Sequence, residues 1–144
     1  MKPSPELVLN HAFAKIAMEM GPALPPGYGQ GSATTTGVLL LMVAQEFNRA
    51  AAIRKAENDD MRQLFADVAA QVPQQLSTAL RAAASGEDCD LTVSALDASN
   101  TALKRLLIDL HVAAEVAGDR ALDHRIVRMM QGWAARRQVV LPAM

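Results

Sequence analysis

The sequence predicts an all-α protein, an up-and-down bundle of four to six helices organised on one long helix at about residues 34–72. Three observations carry this. Of 144 residues, 27 are alanine and only five aromatic, which favours close-packed helices over sheets rich in β-branched and aromatic side chains. Residues 34–72 keep a single apolar phase at about 100° per residue. The other apolar residues recur at helical spacing between Pro and Gly punctuation.

In the long segment, Leu39, Met42, Val43, Ala50 and Ile53 share one face, with Phe47 at its edge and Gln45, Asn48, Arg49 and Lys55 opposite. Carried forward unreset, the phase places Met61, Leu64, Phe65, Val68 and Val72 on that same face. A phase kept through Asn58-Asp59-Asp60 favours one continuous helix over two, although that tripeptide also suits a fresh N-cap.

The preceding helix starts at Ser4-Pro5-Glu6, with a Ser cap, Pro in the first turn and an early acid. Its expected stripe is Leu9, Ala12, Phe13, Ile16 and Met20, and Gly21-Pro22 end it. Residues 21–32 read as a Pro- and Gly-rich connection. After Pro73, a short helix to Ser85 turns Leu76, Leu80 and Ala83 inward, and Gly86 stops it. Asp90 is placed to cap a helix over Leu91–Ala117 with Leu96, Leu103, Leu106, Leu107, Leu110 and Ala114 inward. Gly118-Asp119 separates it from a last helix, Arg120 to about Arg137, with Leu122, Ile126, Met129, Met130 and Trp133 inward.

The length suits one helical-bundle domain over residues 1–144 with a core of its own. A net charge of −1 argues against general binding to nucleic acid or membrane surfaces. The longest apolar block, Val38–Ala44, falls far short of the ~20 residues a membrane span requires, and the first residues carry no signal-peptide-like apolar run. With Cys89 as the one cysteine, a reducing, cytoplasmic location is expected.

Chemistry has few places to sit. Gly27, Gly29 and Gly31, followed by the hydroxyls of Ser32, Thr34, Thr35 and Thr36, could admit an anion at the long helix's N-terminus. No strand precedes this segment and no Gly-Lys-Ser/Thr follows, so neither nucleotide motif is present. Glu46 and Glu57 fall in the long helix's apolar stripe and need partners if buried; Arg49 or Arg54, one turn away, are the expected ones. His111 and Glu115 stand at i, i+4, but no Glu-x-x-His pair occurs, so a di-iron set is absent and a surface histidine is expected; no metal or other cofactor is called for. Cys89, among Glu87, Asp88 and Asp90, is a poor nucleophile, and no catalytic residue is assigned.

Arg120, Arg125, Arg128, Arg136 and Arg137 against Asp119 and Asp123 give residues 119–144 a formal +3. These arginines are expected to meet acids of this chain or of a second copy. A pattern starting at Asn58 (Asn-x-x-Met-Arg-x-Leu-Phe-x-Asp-Val) recurs from Asn100 with like residues; no function rests on it. The expected function is a self-associating binding or structural module without catalysis, a homodimer, with a further protein partner not identifiable from the sequence. The alternative is an anionic-ligand protein or enzyme using the glycine-rich segment.

Overall fold

The computed structural model describes residues 3–140, and among them every regular element is helical. The described residues divide into two compact units, 3–50 with 139–140, and 51–138.

In the first unit, α1 spans Pro5–Phe13. The Ser4 hydroxyl accepts from the Leu7 N–H at 3.2 Å and Pro5 opens the helix, the cap its residue types dictate. The chain then widens into π-helical turns over Ala14–Met20, where the Gly21 N–H reaches five residues back to the Ile16 carbonyl. One α-turn, Gly21–Ala23, follows, so Gly21-Pro22 continue the helical path instead of ending it. Leu24 is extended (φ −80°, ψ 149°), as a residue preceding proline prefers. Of the expected stripe, Leu9, Ala12, Phe13 and Ile16 are half-buried, Met20 is exposed, and Ala17 is the buried side chain.

The long helix, α2, is Tyr28–Val68, 41 residues. It is continuous through Asn58 and begins six residues before the expected Thr34. Gly29, Gly31 and Ser32 therefore belong to the helix and not to a connection, with the Gly31 N–H on the Gly27 carbonyl at 3.2 Å. Glycine is disfavoured in helix interiors by about 1 kcal/mol, but Gly29 and Gly31 lie in the first turn of α2 and not in its interior.

Within residues 28–50 the buried positions of α2 are Gly37, Leu41, Ala44 and Ala50. Gly37 and Leu41 lie on the far side from Leu39 at about 100° per residue. A Cβ at Gly37 would stand 2.5 Å from the Ala17 Cβ and 3.0 Å from the Ala17 N. The two backbones thus meet at a Gly–Ala contact that no larger pair could make. Leu39, Met42, Val43 and Phe47, expected in the core, are exposed. Gln45 holds the 139–140 segment, donating to the Val140 carbonyl at 2.7 Å and accepting from its N–H at 3.0 Å.

The second unit contains the rest of α2, a 3₁₀ turn over Ala69–Gln71, and three further helices: α3, Gln74–Ala84; α4, Val93–Ala117; and α5, Arg120–Arg136. Here the expected faces are buried. Met61, Leu64, Phe65 and Val68 of α2 pack with Leu80 of α3, Leu103, Leu107, Leu110 and Ala114 of α4, and Leu122, Ile126 and Trp133 of α5. Each such large side chain contributes about 1.5–3 kcal/mol by leaving water. Val72, Leu76, Ala83, Leu106 and Met129 are only partly buried against this core, and Met130 is exposed. The cap of α4 is Thr92, whose hydroxyl faces the Ala95 N–H, while Asp90 bonds the Thr92 N–H. Gly118 (φ 69°) closes α4 in the left-handed region, where a side chain would be strained. Asp119 caps α5, accepting from the Ala121 and Leu122 N–H groups.

Candidate functional site

The first unit has an uncovered apolar surface. Leu39, Met42, Val43 and Phe47 continue, toward the N-terminus of α2, the helix face buried from Ala50 to Val68. Leu39 is 55% exposed and Phe47 60%. Of eighteen exposed large apolar side chains among the described residues, twelve belong to this unit, although it is the smaller one. α1 has no fully buried residue. Glu46 lies amid the uncovered face and is exposed, not buried as its phase implied.

The glycine-rich start of α2 carries a shallow cavity of about 330 Å³ lined by Tyr28, Gly31, Ser32, Thr35 and Thr36. No cation lines it. The Thr34 hydroxyl is turned back onto the Gln30 carbonyl at 3.1 Å, and Gly29 and Gly31 have open space where a side chain would stand.

In the second unit Glu57 is fully buried, and its partners come from 43 to 80 residues away, not from Arg49 or Arg54. Arg137 donates to Oε1 at 2.7 Å; Lys104 and Asn100 donate to Oε2 at 3.3 and 3.2 Å. Burial pushes the Glu57 carboxyl up, but the Arg137 hydrogen bond and the charges of Lys104 and Arg137 outweigh it and hold it below its ordinary value. Lys104 Nζ also stands 5.5 Å from the centroid of the Trp133 ring, within cation–π range.

Beside it, Asp88 receives a two-pronged bond from Arg62 at 2.8 Å to each oxygen, with further bonds from Ser99 at 2.8 Å and Asn58 at 3.0 Å. The Arg62 guanidinium, with Ser99 and Asn58 adding to it against the effect of burial, holds the Asp88 carboxyl far below the usual carboxylate range. Asp88 in turn raises Arg62. The sequence offered Asp88 only as part of an acidic link; its role depends on α2 and α4 meeting the 85–92 connection.

Two arginines of α5 meet acids of this chain. Arg125 pairs with Asp67, Arg136 with Asp60 at 2.6 Å, and Asp60 also accepts from the Trp133 indole at 2.9 Å. A groove of about 360 Å³ runs between α2 and α5, lined by Asp60, Gln63, Arg125, Arg128, Gly132 and Arg136 among others. Among the described residues Arg128 has no carboxylate partner. Cys89 is free and exposed.

No family model matches the chain, no curated protein matches it, and no solved structure does.

Proposed function

We propose that this protein is a self-associating helical module whose contact surface is the Leu39–Phe47 face of α2, without a catalytic role. The observation that carries the reading is that face itself. It extends an apolar stripe that is core material from Ala50 onward, yet Leu39, Val43 and Phe47 are more than half exposed. A second copy is the occupant that fits best. An isologous contact sets the same surface against itself, and this face is self-complementary: leucine, methionine, valine and phenylalanine with a single charge, Glu46. Charge pairing between copies has less to draw on, since Arg125, Arg136 and Arg137 are engaged by Asp67, Asp60 and Glu57 of their own chain.

Native mass spectrometry over a concentration series tests it. Wild-type protein should populate dimers, and F47E/V43E should be monomeric with an unchanged helical CD spectrum. A wild-type monomer at high concentration, or dimers that persist in F47E/V43E, would overturn the reading.

Arg128, which has no carboxylate partner among the described residues, supports a second reading, an anionic-ligand site. Its charge chemistry sits in the groove with Arg125 and Arg136 rather than at the cation-free glycine-rich start of α2. A ligand that binds only the folded state raises the melting temperature. Phosphate and carboxylate metabolites should therefore stabilise wild-type protein and not R128A; no shift with any of them removes this reading.

A further inference from the structure

The tight turn between α4 and α5 brings together three ligand-bearing side chains that are separate in sequence. His111 Nε2 lies 2.7 Å from Asp123 Oδ1 and 4.0 Å from Glu115 Oε1. One ligand atom from each falls within 4.8 Å of the other two. The i, i+4 spacing puts His111 and Glu115 on one side of α4, and Asp123 comes from the first turn of α5.

The frame beneath them is fixed. The Asp119 N–H bonds the Ala114 carbonyl at 2.9 Å, the Gly118 N–H bonds the Glu115 carbonyl at 3.1 Å, and Leu110, Ala114, Leu122 and Ile126 are buried below. A histidine–aspartate hydrogen bond occupies one carboxylate and the single proton or lone pair of Nε2. Here a second carboxylate, that of Glu115, stands 4.0 Å from the same nitrogen, beyond hydrogen-bond reach.

We propose that His111, Glu115 and Asp123 bind one first-row divalent transition-metal ion, zinc fitting best. An imidazole nitrogen favours zinc, cobalt or nickel over magnesium or calcium, and the two carboxylates neutralise a divalent charge. Three protein ligands leave a coordination position open. An adjoining cleft of about 270 Å³, lined by Glu115, Gly118, Asp119, Arg120 and Asp123, has room for water or an anion there. Arg120 is the one cation in that lining and would face such an anion.

The test uses full-length, tag-free protein stripped with chelator, titrated with zinc chloride by calorimetry and with cobalt(II) by visible absorption. The expected result is one ion per chain, with binding abolished in H111Q and weakened by about tenfold or more in E115Q. C89S should bind as wild type does. Glu115 is 64% exposed and reaches His111 only at 4.0 Å, so E115Q keeps the fold even if H111Q loses it. E115Q binding as tightly as wild type, zinc binding that survives in folded H111Q, or no binding to wild type would each overturn the proposal.

Discussion

Asn100 donates a 2.9 Å hydrogen bond to the side-chain carbonyl of Asn58, and both side chains are buried. The two asparagines open the two copies of the sequence pattern shared by α2 and α4. Other contacts obey the same matching: Lys104 reaches Glu57, and their counterparts Arg62 and Ser99 also meet, at 3.0 Å. The contacts between the two repeats are thus reciprocal about the asparagine pair.

A buried amide deprived of its partner costs about 1–3 kcal/mol, whereas losing both partners costs less than the sum. In a double-mutant cycle by urea unfolding, N58L and N100L should therefore couple by roughly 0.5–3 kcal/mol. N58L should be the more damaging single change, since beyond their mutual bond Asn58 donates to both Asp88 and the Leu96 carbonyl, whereas Asn100 donates to Glu57. Additive losses would show that the pair is not energetically linked.

The Asp88–Arg62 pair makes stability depend on acid. The folded Asp88 carboxyl is held below its ordinary value, so its stabilisation is complete above the unfolded value of about 3.9. As pH falls past that point, the unfolded chain takes up a proton that the folded chain refuses, and stability declines until the folded group also titrates. The carboxylate is 3% exposed and Arg62 12%, so D88N should cost roughly 3–5 kcal/mol at neutral pH. Chemical unfolding from pH 7 to 3 should show the gap between wild type and D88N narrowing as the pH drops; a constant gap would contradict this linkage.

Glu57 is the buried charge with most to lose. Replacing both Lys104 and Arg137 by methionine strands its carboxylate with Asn100 alone, at a cost of roughly 3–5 kcal/mol. Adding E57L to that double variant should recover more than half of the loss, because the stranded charge rather than the missing packing is responsible. Urea midpoints for the three proteins decide it.

Gly37 is constrained by approach and not by conformation. G37A gains helix propensity of about 1 kcal/mol, but its methyl would overlap Ala17, and overpacking costs about 1–3 kcal/mol. Net destabilisation is expected, with faster amide exchange across Pro5–Met20. A17G should restore part of it, since the Cβ–Cβ overlap goes while the Ala17 N and Cα remain at 3.0 and 3.2 Å.

Periodicity made the helices legible, along with the core of the second unit from Met61 to Trp133, because each of those faces is covered. It misplaced Leu39, Met42, Val43 and Phe47 for a physical reason. A repeat of apolar residues shows which side of a helix avoids water but not whether another element lies against it. The side that is covered there displays Gly37 and Ala44, whose small size gives little hydrophobic signal but allows close approach. Tyr28–Ser32 were missed because Gly and Pro content signals a break, while a helix's first turn tolerates glycine. The partners of Glu57, Asp88 and His111 lay beyond local reasoning: each is supplied by a different element, and for Glu57 by residues 43 to 80 positions away. His111 with Glu115 was readable as a pair, but Asp123 joins them only through the reversal at Gly118.

Trp133 is the one tryptophan in the chain. It is buried against the core of residues 51–138, its indole N–H held by Asp60 and its ring faced by Lys104. The one tyrosine, Tyr28, belongs to the other unit and is 93% exposed. Excitation at the red edge of indole absorption thus makes the protein a self-labelled optical reporter of one unit, while far-ultraviolet dichroism sums both. Superimposable melting curves from the two signals would mark a single cooperative transition; separated curves would time the loss of α1 and the Leu39–Phe47 segment independently of the core.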